Sequence, residues 1–394
     1  MKLDKIIDHF YGLSGQISSG LPLLMITSII SKNIGIEEAG NFVILVAIIS
    51  TLYTVSLWGL RPMIIIDNYQ SFRKQDYIYF RIYFFILLIM TTISYAALKD
   101  IQLIVLFVIL LYKISDGFID LNFGFAQQID SSNALRELFN NHSLKFLLFL
   151  GTYIYLFLNE NQEIFALVFF TGLITLALII YRLFKNFPVK INLKVNYKNI
   201  VIIFKKSSAF AVSASICAFL TGSPRFFLDN IYSGELMGVV AICLSIGTLF
   251  GMVFNTTWAR HFPNYRNEKK LYFGIRFILE NFLLLILLIL LCLKLIPYLA
   301  SIFFNFNITQ HLEVSQFVLI GCAVFNFGMS ILNLFKITKY PIFESLSYLI
   351  GLSIICLFTI FFPSTEIYFT LIISGISMLI LGLISLAILS QSAD

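Results

Sequence analysis

The sequence predicts an all-α polytopic membrane protein whose helices form two bundles of six. Three observations predict it. Hydrophobic residues make up 59% of the 394 positions and charged residues only 12%, with a mean hydropathy of +0.90, whereas a soluble domain carries about a quarter charged residues. Apolar runs of roughly 20 residues, long enough to cross a bilayer as helix, recur along the whole chain. The longest connection between runs, FKNFPVKINLKVNYKN over 184–199, falls at the midpoint.

Taken in order, the runs place spans at about 10–31, 39–60, 79–98, 101–119, 142–158 and 164–183, then 207–231, 236–258, 273–295, 314–335, 342–362 and 367–389. The leader MKLDKIIDHFYGLSGQ has two lysines, but Asp4, Asp8 and the lack of an A-x-A cleavage pattern predict that it is retained as a short surface helix. The domain boundaries that follow are an N-terminal bundle over 1–183, a basic linker over 184–206 and a C-terminal bundle over 207–394.

Basic residues test the topology. One set of alternate connections holds two in the leader and four after span 2 (Arg61, Arg73, Lys74, Arg81). Three surround the connection after span 4 (Lys113, Arg136, Lys145), seven the midpoint linker, five follow span 8 and two follow span 10. The opposite side holds only Lys32, Lys99, Arg225 and Lys294 of the 27. Cytoplasmic connections carry the excess of Lys and Arg, so both termini are expected in the cytoplasm. The same scatter accounts for the net charge of +6 without a nucleic-acid face. Five cysteines inside apolar runs, with no CxxC or His-paired spacing, indicate neither a disulfide framework nor a metal site.

Sliding the chain by 198 residues sets Glu37 on Glu235, Gly40 on Gly238, Ile44 on Ile242 and Ile48 on Ile246. With a two-residue slip, the only two tryptophans, Trp58 and Trp258, fall at corresponding ends of spans 2 and 8. Interfacial anchoring is the simpler account of each tryptophan alone. Six spans per repeat is an even number, so the halves enter the membrane the same way up. They would be related by a pseudo-twofold axis along its normal, with a cavity between them.

Charges inside the runs are the candidate functional residues. In LYKISDGFID, Lys113, Asp116 and Asp120 are three and four apart and share one helical face in the last third of span 4. They either line the mouth of the cavity or form a snorkelling Lys113–Asp116 pair with Asp120 in water. Arg225 and Asp229, four apart, follow Gly222, Ser223 and Pro224, which weaken the helix; a binding site and an ion pair that merely permits insertion are both open. Arg61 and Arg260, with His261, sit at matching helix ends, where arginines either capture a phosphate or anchor to headgroups. Gln16 in span 1 is a candidate sugar partner or an interhelical bond. Arg276 and Glu280 read as a local ion pair.

The hairpin SPRFFLDNIYSGELMGVVAI (223–242), its counterpart SKNIGIEEAGNFVILVAI (31–48) and TTWARHFPNY (256–265) carry a family resemblance. The chain resembles the multidrug/oligosaccharidyl-lipid/polysaccharide (MOP) exporter superfamily, of MATE-like fold, and within it the bacterial Wzx-type O-antigen and polysaccharide flippases. Members carry an Arg at the end of span 7, then an Asp or Asn, then a Gly opening span 8; Arg225, Asp229 and Gly238 match. Members often have an acid directly before that arginine. Here the position is Pro224, which argues against coupling an ion there.

The resemblance implies a flippase of the bacterial inner membrane, with no cofactor. Its partners would be an undecaprenyl-pyrophosphate-linked oligosaccharide, membrane lipids, and the polymerase and chain-length proteins of the same pathway. It would work by alternating access through a cationic central cavity, because a pyrophosphate and a hydrated sugar cannot cross about 30 Å of hydrocarbon unaided. Two alternatives stand beside it. A cation-coupled drug exporter of the same superfamily needs deep acids in the N-terminal half, where Asp116 is the deepest and has Lys113 within reach. A membrane-embedded polymerase or glycosyltransferase needs a long external loop, whereas the longest external segment, about 296–313, is short and mostly apolar.

Overall fold

A computed structural model describes residues 3–67, 72–99, 101–129, 131–159, 163–188, 196–261, 270–337, 342–362 and 366–391. All regular structure among them is helical. The helices are α1 (Leu3–Asn33), α2 (Ile36–Leu57), α3 (Leu60–Ile66), α4 (Lys74–Lys99), α5 (Leu103–Ile129), α6 (Ser131–Leu158), α7 (Ile164–Asn186) and α8 (Tyr197–Phe226). They continue as α9 (Leu228–Ile231), α10 (Gly234–His261), α11 (Lys270–Leu293), α12 (Leu295–Phe304), α13 (Ile308–Leu332), α14 (Ile342–Phe361) and α15 (Ile367–Gln391), with a 3-10 turn over Asn333–Ile337.

Ten helical stretches among the described residues are long and apolar enough to cross a membrane. The two long helices outside that set, α5 and α6, have 27 and 28 residues. At 1.5 Å per residue each reaches about 40 Å, more than a bilayer's hydrocarbon. Helix α5 is set apart by Lys113, Asp116 and Asp120, and α6 by Lys145 together with Asn141, His142 and Ser143.

Two compact units make up the chain: Met1–Ile29 with Ile48–Ala218, and Ile30–Ala47 with Phe219–Asp394. Helices α1, α2 and α8 thus give residues to both. In the first unit α5 is the central helix and packs against α3, α4, α6 and α7. In the second, α13 holds that place, against α10, α11, α12, α14 and α15. Helices at the margins leave apolar stripes uncovered. On α11, Leu279, Leu283, Ile286 and Leu290 recur at helical spacing and are exposed, a surface that lipid covers at no cost. Arg276 Nε and Glu280 Oε1 lie 3.2 Å apart on the same helix, the expected local pair.

Local chemistry sets where helices stop. Trp58 and Gly59 take left-handed backbone angles, φ 47° and 58°, and turn α2 into α3. A bulky residue there is rare and needs support. Trp58 has it in a ring stack on Phe204 with centroids 4.7 Å apart and an Nε1 bond to the Phe204 carbonyl at 3.3 Å. Pro224 sits within the last turn of α8 and cannot donate to the Leu220 carbonyl. The Ser223 hydroxyl does so instead, at 3.0 Å.

Glycine allows two helix contacts no side chain could. A Cβ on Gly238 would collide with the Ile36 carbonyl oxygen, and one on Gly40 would lie 2.7 Å from the Gly238 Cα. The two glycines matched by the 198-residue repeat therefore touch each other. Likewise a Cβ on Gly328 of α13 would collide with the Gly375 oxygen of α15. Gly238→Ala and Gly328→Ala are each expected to lower the unfolding free energy by about 1–3 kcal/mol through overpacking. Gly151→Ala, with nothing within 4 Å, should raise it by about 0.5 kcal/mol. Thermal unfolding of the purified chain in detergent checks the contrast; three equal losses would contradict it.

Candidate functional site: paired charges in the first unit

The face of α5 that carries Lys113, Asp116 and Asp120 is not at a helix end. With α5 running from Leu103 to Ile129, Asp116 is its middle residue. This corrects the placement in the last third of a span ending at 119. Hydropathy reads charge as the end of a span, but a helix continues through charges that find partners inside the fold.

Asp120 has two such partners, one for each oxygen. Arg61 Nη1 donates to Oδ1 at 3.2 Å and Arg81 Nη2 to Oδ2 at 3.0 Å. Their environments differ: the Arg61 side chain is 43% exposed, the Arg81 side chain 0% and Asp120 17%. Asp120 is therefore not the solvated carboxylate of the simpler expectation. Asp116 Oδ1 receives Lys145 Nζ at 2.6 Å, with Lys145 fully buried and Asp116 16% exposed. Lys113 Nζ lies 5.7 Å and 5.6 Å from the ring centroids of Tyr53 and Tyr112.

Three cations, Arg61, Arg81 and Lys145, thus engage two carboxylates, an excess of one positive charge. The excess is also visible as unused hydrogen-bonding capacity. Arg81 Nε and Nη1 are buried and have no hydrogen-bond partner among the described residues, and the same holds for His142 Nδ1 and both amide atoms of Asn141. A buried donor left unmet costs about 1–3 kcal/mol. Two of the Arg81 donors are thus unengaged by protein groups among the described residues.

The remaining sequence-predicted residues lie elsewhere. Arg225, in the second unit, is buried and turns its guanidinium on backbone: Nη1 donates to the Thr221 carbonyl at 3.1 Å and Nη2 to the Leu244 carbonyl. It thereby ties α8 to α10. Asp229 falls in α9, and Arg260 and His261 end α10, but the side chains of these three lie outside the described residues. Gln16 is half-buried on α1, one turn from Gly12, which packs on Leu135 of α6.

Arg81 and Lys145 are the residues that sequence reasoning assigned to connections and missed as site residues. Their signal was available. Arg81 stands in YIYFRIYFFILLIM, a single cation flanked by apolar residues on both sides, whereas the signal at Lys145 in HSLKFLLFL was weaker, with an apolar run after it but Asn140, Asn141, His142 and Ser143 before it.

Ten apolar helical stretches among the described residues and the likeness to solved structures give the chain the fold of the MATE/MOP transporters. One solved MATE structure, in a bent conformation, is 11% identical with a TM-score of 0.57, covering 99% of this chain and 96% of that one. A multidrug resistance MATE family transporter of the MOP superfamily in an outward-facing conformation is 12% identical at a TM-score of 0.58, covering 98% and 96%. A MOP superfamily transporter from Pyrococcus furiosus Vc1, whose binding pocket is described as having reverse polarity that suggests a different function, is 13% identical at 0.54, covering 99% and 95%. These solved neighbours are transporters rather than enzymes. Neither a protein-family model nor a curated protein matches the chain in sequence.

Arg81→Met should lower the unfolding free energy by about 3 kcal/mol, since a buried pair loses one member. Arg61→Met should cost under about 1 kcal/mol, because Arg61 is solvent-screened. Thermal unfolding of both variants reads the difference, and equal losses would contradict the assigned environments.

Proposed function

We propose that the protein is a twelve-span flippase that carries an undecaprenyl-pyrophosphate-linked oligosaccharide from the cytoplasmic to the outer leaflet of a bacterial inner membrane. The observation that carries this reading is Arg81: a fully buried guanidinium, already holding Asp120, with Nε and Nη1 unused. Arginine's planar fork suits phosphate oxygens. Arg61, partly exposed on the other oxygen of Asp120, receives the pyrophosphate, and Lys113 adds charge one turn before Asp116.

Other residues take supporting roles. Gln16 bonds sugar hydroxyls, Arg260 and His261 meet the headgroup at the matching helix end, and Arg225 with Asp229 serves the second half. The six-plus-six division at the 184–206 linker is supported by the 198-residue repeat and by the contact of its matched glycines, Gly40 and Gly238. Both termini then lie in the cytoplasm, and access alternates between the two sides.

A cation-coupled drug exporter shares the fold, so the test separates substrates. Full-length protein in proteoliposomes is given a fluorescent undecaprenyl-pyrophosphate oligosaccharide, and leaflet transfer is read by dithionite quenching. Wild type should transfer the lipid and Arg81→Gln should do so at least about tenfold more slowly. Efflux of an organic cation driven by a proton gradient, without lipid transfer, would replace this reading with the exporter.

A further inference from the structure

Lys145 is held unlike the arginines. Its Nζ lies 2.6 Å from Asp116 Oδ1, 3.2 Å from the Tyr112 backbone oxygen and 3.0 Å from the centroid of the Tyr112 ring. A carboxylate, a carbonyl and an aromatic face, three distinct kinds of cation ligand, converge on one point. The cage is rigid on its aromatic side. The Tyr112 hydroxyl donates to the Ser19 carbonyl of α1, and the ring meets the Phe149 ring edge-on with centroids 5.8 Å apart. The Lys145 side chain is wholly buried, while the Asp116 carboxylate keeps some exposure.

Without the four-carbon stem, these ligands describe a site for a small monovalent cation. We propose that Asp116, the Tyr112 carbonyl and the Tyr112 ring form a latent monovalent-cation site in the first unit, filled permanently by the ammonium of Lys145 as a tethered stand-in for a free ion. Tethering gives the ammonium an effective concentration that a dissolved cation at physiological levels does not match. Asp120 is engaged by Arg61 and Arg81, so neither acid on this face of α5 is left for sodium or an organic cation. If the transport reading holds, the first unit draws on no cation gradient at Asp116. That consequence rests on the transport reading, but the filled cation site does not.

The test reads cation binding without transport. Purified full-length protein in detergent is unfolded thermally in chloride salts of sodium, potassium or methylammonium at constant ionic strength, with N-methylglucamine as the inert reference. Wild type should show the same Tm in all four. Lys145→Ala should melt lower by at least about 3 °C and be restored, saturably, by at least one small cation, and the restoration should vanish in Lys145→Ala/Asp116→Asn. A folded Lys145→Ala whose Tm ignores cation identity overturns the proposal. Should Lys145→Ala fail to fold, Lys145→Gln is titrated in the same way. In either case, a saturable, cation-specific stabilisation of wild type that Asp116→Asn abolishes overturns it. Lipid transfer in the same preparations fails or succeeds independently of these outcomes.

Discussion

One carboxylate shared between two guanidinium groups is the constraint from which the rest follows. Asp120 sits within a long, mostly apolar helix, where an unpaired charge costs several kcal/mol. It is stable only because Arg61 and Arg81 arrive from α3 and α4, one at each oxygen. That requirement fixes which faces of α3, α4 and α5 look at one another. One turn along α5, Asp116 repeats the requirement toward α6 through Lys145. The central position of α5 in the first unit is thus an electrostatic necessity as well as a packing one.

The second unit solves its central helix differently. Around α13 the contacts are made by small residues, with Gly328 against Gly375 of α15 and Gly247 against Cys322. Without a hydrophobic drive between helices in lipid, close backbone approach supplies the attraction. The buried cation there, Arg225, spends its donors on carbonyls. Helix α5 is central to the first unit and α13 to the second, yet buried ion pairs between helices are found around α5, whereas α13 packs on α15 through close glycine backbone contact.

Much of this was legible in the sequence, because lipid makes a blunt demand: apolar runs must be helices of a certain length. The spans read from the runs fall on described helices, with ten stretches among the described residues long and apolar enough to cross a membrane, and the Arg276–Glu280 pair was visible as well; the turn at Trp58 and Gly59 was not, since the apolar run carries span 2 through to residue 60. What also escaped was which charges lie inside. Arg81 and Lys145 were assigned to connections because hydropathy scores a charge by its own cost and cannot see its partner, which stands 39 residues away for Arg81 and 29 for Lys145. The face shared by Lys113, Asp116 and Asp120 could be read from spacing alone; the cations that hold its two acids could not.

In the proposed reading, a phosphate is taken by the Arg81 Nε and Nη1 donors left unused beside Asp120, and the Asp120 charge opposes its approach. The most direct measurement is the affinity of purified full-length protein for inorganic pyrophosphate, compared between wild type and Asp120→Asn at fixed ionic strength. The reading predicts that the variant binds at least about fivefold more tightly, since loss of the carboxylate charge raises the cationic excess at the unused donors. Unchanged or weaker binding by a folded Asp120→Asn would mean that the two arginines serve Asp120 alone, and the account of this site would be wrong.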